Sequence, residues 1–452
     1  MNNNAFSYLN FIHFSQLNLW DFKRYISKVV SSKYPIVRLA NFINEENKKI
    51  KPFDFPEEKF EILGVNNKTG LFDAYIEDGN KINQPYKIVE NGFLAYNPYR
   101  INVGSIGLKT KEQKYKYISP AYIVFSCKKD LLPEFLYILF RTDKFNELIR
   151  ENTTGSVRQT LSFSSMGQIQ IPLPPLEKQQ EIVYRYNAKI KLAEEQEKEA
   201  QNLKQRIDKY IFNELGLKIK EDLKQDKLLN FVNYSNLKLW GVDKICGTNR
   251  FYSEIYKLQS LNNNLDLYIE AFRGKSPKYE NNSNSIILNQ KCNRWNSIDL
   301  NFAKTVSESW ANSIDNNFKT QEGDILINST GEGTIGRASC ISKENIGLLY
   351  DSHILLLRLN TQKINPLYYT YLFNSRFGQE QINFVKSAQS TKQTELGIDN
   401  LKKIQFPYPN IAVQNEIVDT ITKLKAKIKK LNNLAEQNRQ LAQEEFEKEL
   451  FE

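Results

Sequence analysis

Histidine is nearly missing from this chain. There are two in 452 residues, His13 and His353, one in each half. A Ser/His/Asp set or a His-based metal centre has almost nothing to draw on, and each histidine reads as a packed or surface residue. Cysteine is scarce as well. Cys127, Cys246, Cys292 and Cys340 stand far apart with no C-x-x-C pair, which argues against disulfides and zinc and fits a reducing cytosol. No apolar run approaches the roughly 20 residues of a bilayer span. Met1-Asn2-Asn3-Asn4 opens no signal peptide, so the expected location is cytoplasmic.

Catalytic signatures are incomplete wherever they begin. Asn97-Pro98-Tyr99 is one proline short of the N-P-P-Y loop of amino-methyltransferases, and no strand followed by a Gly-rich loop is available to hold S-adenosylmethionine. Gly331 to Ala338 (GEGTIGRA) has the glycine spacing of a P-loop but lacks its phosphate-binding Lys and its Mg²⁺-binding Ser/Thr. No nuclease-like D…(D/E)-x-K cluster stands above chance. The sequence offers no catalytic residue and no metal ligand set.

What is present is ordinary in kind but large in extent. Hydrophobic residues make up 40% and charged residues 25%, and the length exceeds one ordinary core, so two domains with extensions are expected. A net charge of +10 and a pI near 9.0 suit a polyanionic partner. The richness in Asn, Lys and Ile also matches AT-biased coding, so basicity alone leaves that partner open.

The chain repeats itself. Ile171 to Val183 (IPLPPLEKQQEIV) resembles Phe406 to Val418 (FPYPNIAVQNEIV), Pro133 to Phe140 (PEFLYILF) resembles Pro366 to Phe373 (PLYYTYLF), and Arg158-Gln159-Thr160 resembles Lys392-Gln393-Thr394. The shifts are 233, 234 and 235 residues (366 against 133, 392 against 158, 406 against 171). Leu17 to Trp20 echoes Leu237 to Trp240 at 220 residues (240 against 20), so the halves differ by insertions. The plan reads as module, long helix, module, long helix.

Each module mixes short β-branched and aromatic runs with Gly, Asn and Pro turns. Strands are expected at Ile36 to Leu39, Tyr122 to Phe125, Asp324 to Asn328 and His353 to Leu359. Single helices are expected from Pro133 to about Arg150 and from about Pro366 to Val385. An apolar lead-in runs to about Tyr25. The first long helix starts after Pro174-Pro175 and runs to about Leu215, stopped by Gly216. Its inward positions are Val183, Tyr186, Ile190, Ala193, Ala200, Leu203, Ile207 and Tyr210. The second sets Ile417, Ile421, Leu424, Ile428, Leu431 and Ala435 at alternating four- and three-residue steps, an a/d seam. Helices this polar with so narrow a stripe need a partner helix. The partner is either the other helix of the same chain or a second copy. A linker from Lys218 to Asn236 follows the first helix, and its charge run reads as a solvated face closing that helix.

Recognition chemistry gathers in two loops per module. Tyr96 to Gly107 carries Tyr96, Arg100, Asn102 and Ser105, and Asn328 to Arg337 carries Thr330, Glu332, Thr334 and Arg337. A second loop in each half holds Ser156, Arg158, Gln159 and Thr160, or Ser390, Lys392, Gln393 and Thr394. Arg, Asn and Gln are the side chains that read base edges, and Ser/Thr reach phosphates. Taken alone, these segments could equally be hairpins and loops that close the module edges.

In order and duplication, the whole chain resembles the specificity subunit of type I restriction–modification systems. The resemblance rests on the Trp-bearing openings at Trp20 and Trp240, the Tyr96–Gly107 stretch and Gly323 to Arg337 (GDILINSTGEGTIGR). The Q-T loops and the proline-led helix starts complete it. It departs at FPYPN, where a P-L-P-P form would be usual, giving a looser proline turn. The resemblance implies a mixed α/β (α+β) fold with two target-recognition domains and two long helices paired as an antiparallel coiled coil. It places them at 1–175 and 229–410, with helix and linker at 176–228 and the last helix at 411–452. It implies that each domain reads one half of a bipartite DNA site, and that the helices set the spacer and dock two methyltransferase subunits. Motor–nuclease restriction subunits join through those helices. No catalysis and no cofactor belong to this chain, with S-adenosylmethionine, ATP and Mg on the partners. Arg100 and Asn102 have no counterparts in the second module's loop, so an asymmetric target is expected. The alternative is a scaffold binding DNA or protein without catalytic partners.

Overall fold

In the computed structural model, residues 31–152, 160–219, 251–388 and 394–452 are described. The lead-in, Trp20, Trp240 and the linker beyond Ile219 lie outside them. Two compact units emerge, one of Met1–Glu197 with Asn433–Glu452 and one of Lys198–Asn432. This division by compactness cuts both long helices, whereas the division by element keeps them whole. The reason is that each helix end is packed into a module core.

Both units are built on the same strand order. In the first, Ile36–Arg38 pairs antiparallel with Gln170–Pro172, and a four-stranded antiparallel sheet runs Ile43–Glu45, Ile123–Cys127, Leu94–Tyr96, Ile106–Leu108. In the second, Leu258–Ser260 pairs antiparallel with Gln405–Pro407. Its four-stranded antiparallel sheet runs Tyr268–Arg273, Ile354–Leu359, Ile325–Asn328, Ala338–Cys340. The additions differ. The first unit has a five-stranded sheet in which the hairpin Lys59–Asn66/Gly70–Asp78 forms one edge. The second has a three-stranded sheet and a short hairpin, Asn293–Arg294 against Ser297–Ile298.

Each single helix expected inside a module is broken in two. The first divides into Pro133–Leu139 and Asp143–Asn152 because Thr142 turns the chain. Its hydroxyl donates to Leu139 O (2.9 Å) and accepts the Phe145 N–H (3.3 Å), serving as an N-cap. The second divides into Pro366–Asn374 and Arg376–Val385 at Ser375, whose extended backbone ends the turn while its hydroxyl bonds Leu372 O at 2.6 Å. Apolar spacing continues through both breaks, so periodicity alone does not reveal them.

The long helices run Leu176–Glu214 and Ile411–Phe451. Both begin five residues into their repeated phrases, so the looser FPYPN turn leaves the start unshifted. Gly216, in the left-handed region at φ 56°, ends the first. Beyond it Leu217–Ile219 is a strand paired with Phe251–Ser253, not a solvated continuation of the helix.

Each unit holds one antiparallel stretch of the two helices. In the first, Lys189 pairs with Glu445 (3.1 Å), Arg439 with Glu197 (2.7 Å), and Gln196 accepts from Asn438 (3.0 Å). Ile182, Val183, Phe446 and Leu450 enter the module core with Phe135 and Leu136, and Tyr186 packs on that core. In the second, Ala200, Leu203 and Ile207 meet Leu424, Ile428 and Leu431. Ile417 and Ile421 are buried with Ile211, Tyr368 and Phe406 in that unit's main core. Ile190 is half-buried. Each fully buried Leu, Ile or Phe contributes about 1.5–3 kcal/mol, so the stripe is held mainly by its module ends and the short apolar seam.

Candidate nucleic-acid interface

In the first unit the loop from Asn97 to Ser105 leaves the central strand and turns back through a 3-10 turn at Ile101–Val103. Arg100 and Tyr99 project outward and are exposed. Tyr96 does not: it is fully buried against Phe125, and its hydroxyl donates to Leu161 O at 3.1 Å. Burial pushes that phenol well above its ordinary value. Ser105 is buried too, its hydroxyl donating to Val65 O at 3.4 Å. Tyr96 and Ser105 are therefore corrected from DNA contacts to core and loop-base residues. Tyr96 ends the strand Leu94–Tyr96, all three of whose residues are buried.

Two cations join this loop that sequence spacing does not bring to it. The edge hairpin's turn, Asn66 to Gly70, is fixed by Asn66 Oδ1, which accepts from Lys68 N (2.8 Å) and Thr69 N (2.7 Å). Arg141 holds this turn, donating to Lys68 O (3.1 Å) and to Tyr137 Oη (3.1 Å), with its guanidinium over the Tyr137 ring. Lys68 and Arg100 are exposed on these two segments, whose bases meet at Val65 and Ser105. The NNKTG turn between apolar strands is itself a hairpin signal in the sequence.

In the second unit the corresponding loop, Asn328 to Arg337, is tightly cross-braced. Gly331 sits at φ 96°, a backbone conformation that strains any other residue, and a Cβ there would also press on Gln290 Oε1 at 2.4 Å and Thr334 Oγ1 at 2.3 Å. Thr330 is buried rather than presented, its hydroxyl shared between Gln290 Nε2 (2.9 Å) and His353 Nδ1 (2.8 Å). It braces the loop and is corrected from a DNA contact to a support. Thr334 is half-buried, with its hydroxyl on Thr330 O at 3.1 Å. Glu332 and His353 are exposed. Below them, burial pushes the Asp351 carboxyl up, against the His353 N–H that it accepts at 3.0 Å. Arg337 donates to Gly333 O at 2.9 Å.

The second predicted loops mostly fall outside the described residues: Ser156, Arg158, Gln159, Ser390, Lys392 and Gln393, and the side chains of Asn102 and Thr394. Thr160 is half-buried. Their flanks are tied to the first loops in the same way in both units. Leu161 N donates to Pro98 O (3.0 Å), and Leu396 N donates to Ser329 O (2.8 Å). The described flank that follows each second loop thus lies against the first loop of its own unit. Among the described residues no cluster of His, Cys, Asp and Glu is arranged to hold a metal, and no helix is long and apolar enough to cross a membrane.

Comparison with known proteins gives the arrangement its context. A chain of the structure described as "Structural basis underlying complex assembly and conformational transition of the type I R-M system" is similar in fold. It has a TM-score of 0.55 and 14% identity, over 92% of this chain and 97% of that one. The HsdS subunit of Thermoanaerobacter tengcongensis is matched at a TM-score of 0.42 and 14% identity, over 92% and 96% of the two chains. The type I restriction-modification S subunit of M. genitalium is matched at 0.46 and 12%, over 93% and 96%. A search of curated proteins gives no match. The family model for the type I restriction modification DNA specificity domain matches residues 18–205 and 275–439, most of the chain and parts of both halves. With that model spanning both copies of the duplicated plan, the chain belongs to the type I restriction modification DNA specificity family, as a DNA sequence-specificity subunit.

Proposed function

We propose that each unit reads one half of an asymmetric, bipartite DNA site, and that the two long helices set the spacer and carry two methyltransferase subunits. Restriction subunits join through the same helices. The single observation that supports this most is the duplicated sheet order with dissimilar loops at the same edge: Arg100 and Lys68 in the first unit, Glu332 and Arg337 in the second. Equal frames with unequal side chains suit two different half-sites. Lys and Arg near phosphates make such binding fall steeply with salt. Chemistry then belongs to the partners, which hold S-adenosylmethionine, ATP and Mg, and the assembly works in the cytoplasm.

The test is base-resolved methylation of the source genome with this gene intact and deleted. Loss of one split, asymmetric motif on deletion supports the reading and gives the motif. Paired variants then assign the halves. Arg100→Ala with Gln159→Ala relaxes one half-site, and Arg337→Ala with Gln393→Ala relaxes the other. Equal blurring of both halves by either pair defeats the assignment.

A further inference from the structure

The second unit exposes a tryptophan beside its candidate loop. Trp295 stands at the tip of the hairpin Asn293–Ile298 and is 44% exposed. Its indole offers a large, rigid apolar face with one polar N–H, the kind of side chain that anchors contacts with other molecules. Trp295 is also held in place. Asn296, next to it, takes the left-handed region at φ 62° and donates its N–H to Ala338 O at 2.9 Å, while Asn374 Nδ2 bonds its side chain at 2.9 Å. At the hairpin's base, Asn293 is fully buried and donates to Leu326 O (3.1 Å), Asn328 Oδ1 (3.1 Å) and Arg337 O (3.0 Å). The tip is thus braced against the strands that launch the loop.

Arg337 connects tip and loop. Its guanidinium lies 5.9 Å from the Trp295 ring centroid and donates one N–H to Gly333 O, while its Nε is buried with no hydrogen-bond partner. Beyond Gly333, a Cβ would meet open space. Trp295, Arg337 and Gly333 therefore form one continuous strip, with an aromatic face, a cation and a bare backbone.

We propose that Trp295 is a DNA-contacting residue of the second unit, packing against a deoxyribose or thymine methyl of that unit's half-site while Arg337 covers its other face. The proposal rests on the half-site reading. An aromatic ring already capped by an arginine cannot enter a base step from both sides, so groove-wall packing fits better than intercalation. Exposed Trp and Arg also anchor protein interfaces, which the test must separate.

The experiment uses the full chain copurified with its methyltransferase partner and duplexes carrying the genomic motif. Affinity is measured for the wild type, Trp295→Phe and Trp295→Ala on the intact duplex and on duplexes scrambled in either half. The expected result is about a tenfold loss for Trp295→Ala, about 1.4 kcal/mol, and a smaller loss for Trp295→Phe. The gap should vanish when the half relaxed by Arg337→Ala is scrambled and persist when the other half is scrambled. Equal affinities, a gap that survives scrambling of the second half, or loss of the methyltransferase partner in place of DNA would each overturn the proposal. Thermal melting of both variants controls for folding, and the Phe variant keeps a ring in place. If the wild type is indifferent to scrambling either half, it is the half-site reading that fails.

Discussion

Gln179 and Gln414 stand at the same step of the two halves and make the same three hydrogen bonds. Gln179 Oε1 accepts from Leu132 N (2.9 Å), and its Nε2 donates to Asp130 O and Pro174 O (2.9 Å each). Gln414 Oε1 accepts from Asn365 N (2.8 Å), and its Nε2 donates to Lys363 O (3.2 Å) and Pro409 O (2.9 Å). Both are fully buried. Each amide ties the first turns of a long helix to the loop that starts the repeated PEFLYILF or PLYYTYLF helix. Module and long helix are thereby locked at the same joint twice.

Removing either amide strands buried backbone groups. Gln179→Leu and Gln414→Leu should each cost about 2–4 kcal/mol, since two or three buried partners lose their hydrogen bonds. Urea unfolding of the full chain measures the loss. A change below about 0.5 kcal/mol would mean the joint is not under load.

Phe446 closes the first core from the far end of the chain. Its ring centroid lies 5.7 Å from that of Phe135 and 5.9 Å from that of Tyr186, within the first unit's main core. Phe446→Ala is expected to destabilise the first unit by about 3–5 kcal/mol. Loss of protection confined to the first unit in native-state hydrogen exchange is the readout.

Glu449 anchors the same helix end by charge. It accepts from Tyr34 Oη at 2.7 Å and pairs with Arg185 (3.2 Å) and Lys33 (3.3 Å). The Tyr34 hydrogen bond, aided by Arg185 and Lys33, holds its carboxyl down at about 2. A depressed carboxyl stabilises the fold above its unfolded value, and that contribution is lost as pH falls from about 4.5 towards 2. Because solvent reaches the cluster, the effect is about 1 kcal/mol. The melting-temperature gap between wild type and Glu449→Gln should be largest above pH 5 and narrow below pH 4; a constant gap would refute the assignment.

Lys425 works against the fold. It is partly buried on the second long helix over the Tyr371 ring, 5.1 Å from its centroid, and desolvation lowers its ammonium to about 8. The folded state thus binds fewer protons than the unfolded one between about pH 8 and 10.5, so stability rises with pH across that window. The ring face returns part of the desolvation cost. Lys425→Met should stabilise the chain by about 1–2 kcal/mol at pH 7, with the gain fading above pH 8. A destabilised Met variant would show that the cation–π contact dominates.

The sequence by itself determined the plan. The two proline-led phrases, the apolar stripe of each long helix and the repeated PEFLYILF and PLYYTYLF segments are local patterns, and local patterns survive in one dimension. They place the long helices within a residue or two, as Leu176–Glu214 and Ile411–Phe451 show. Tertiary structure decided everything that depends on which face a residue turns. Thr142 and Ser375 break helices whose apolar spacing runs on unbroken, because a cap hydrogen bond is invisible to periodicity. Tyr96 looks like a loop residue but ends a buried strand, and Thr330 is a loop residue turned inward by its bonds to Gln290 and His353. Lys68, Arg141, His353 and Trp295 reach the loops only through pairings across many residues. Sheet order and hairpin packing bring these groups together, and neither is written in any short stretch of the chain.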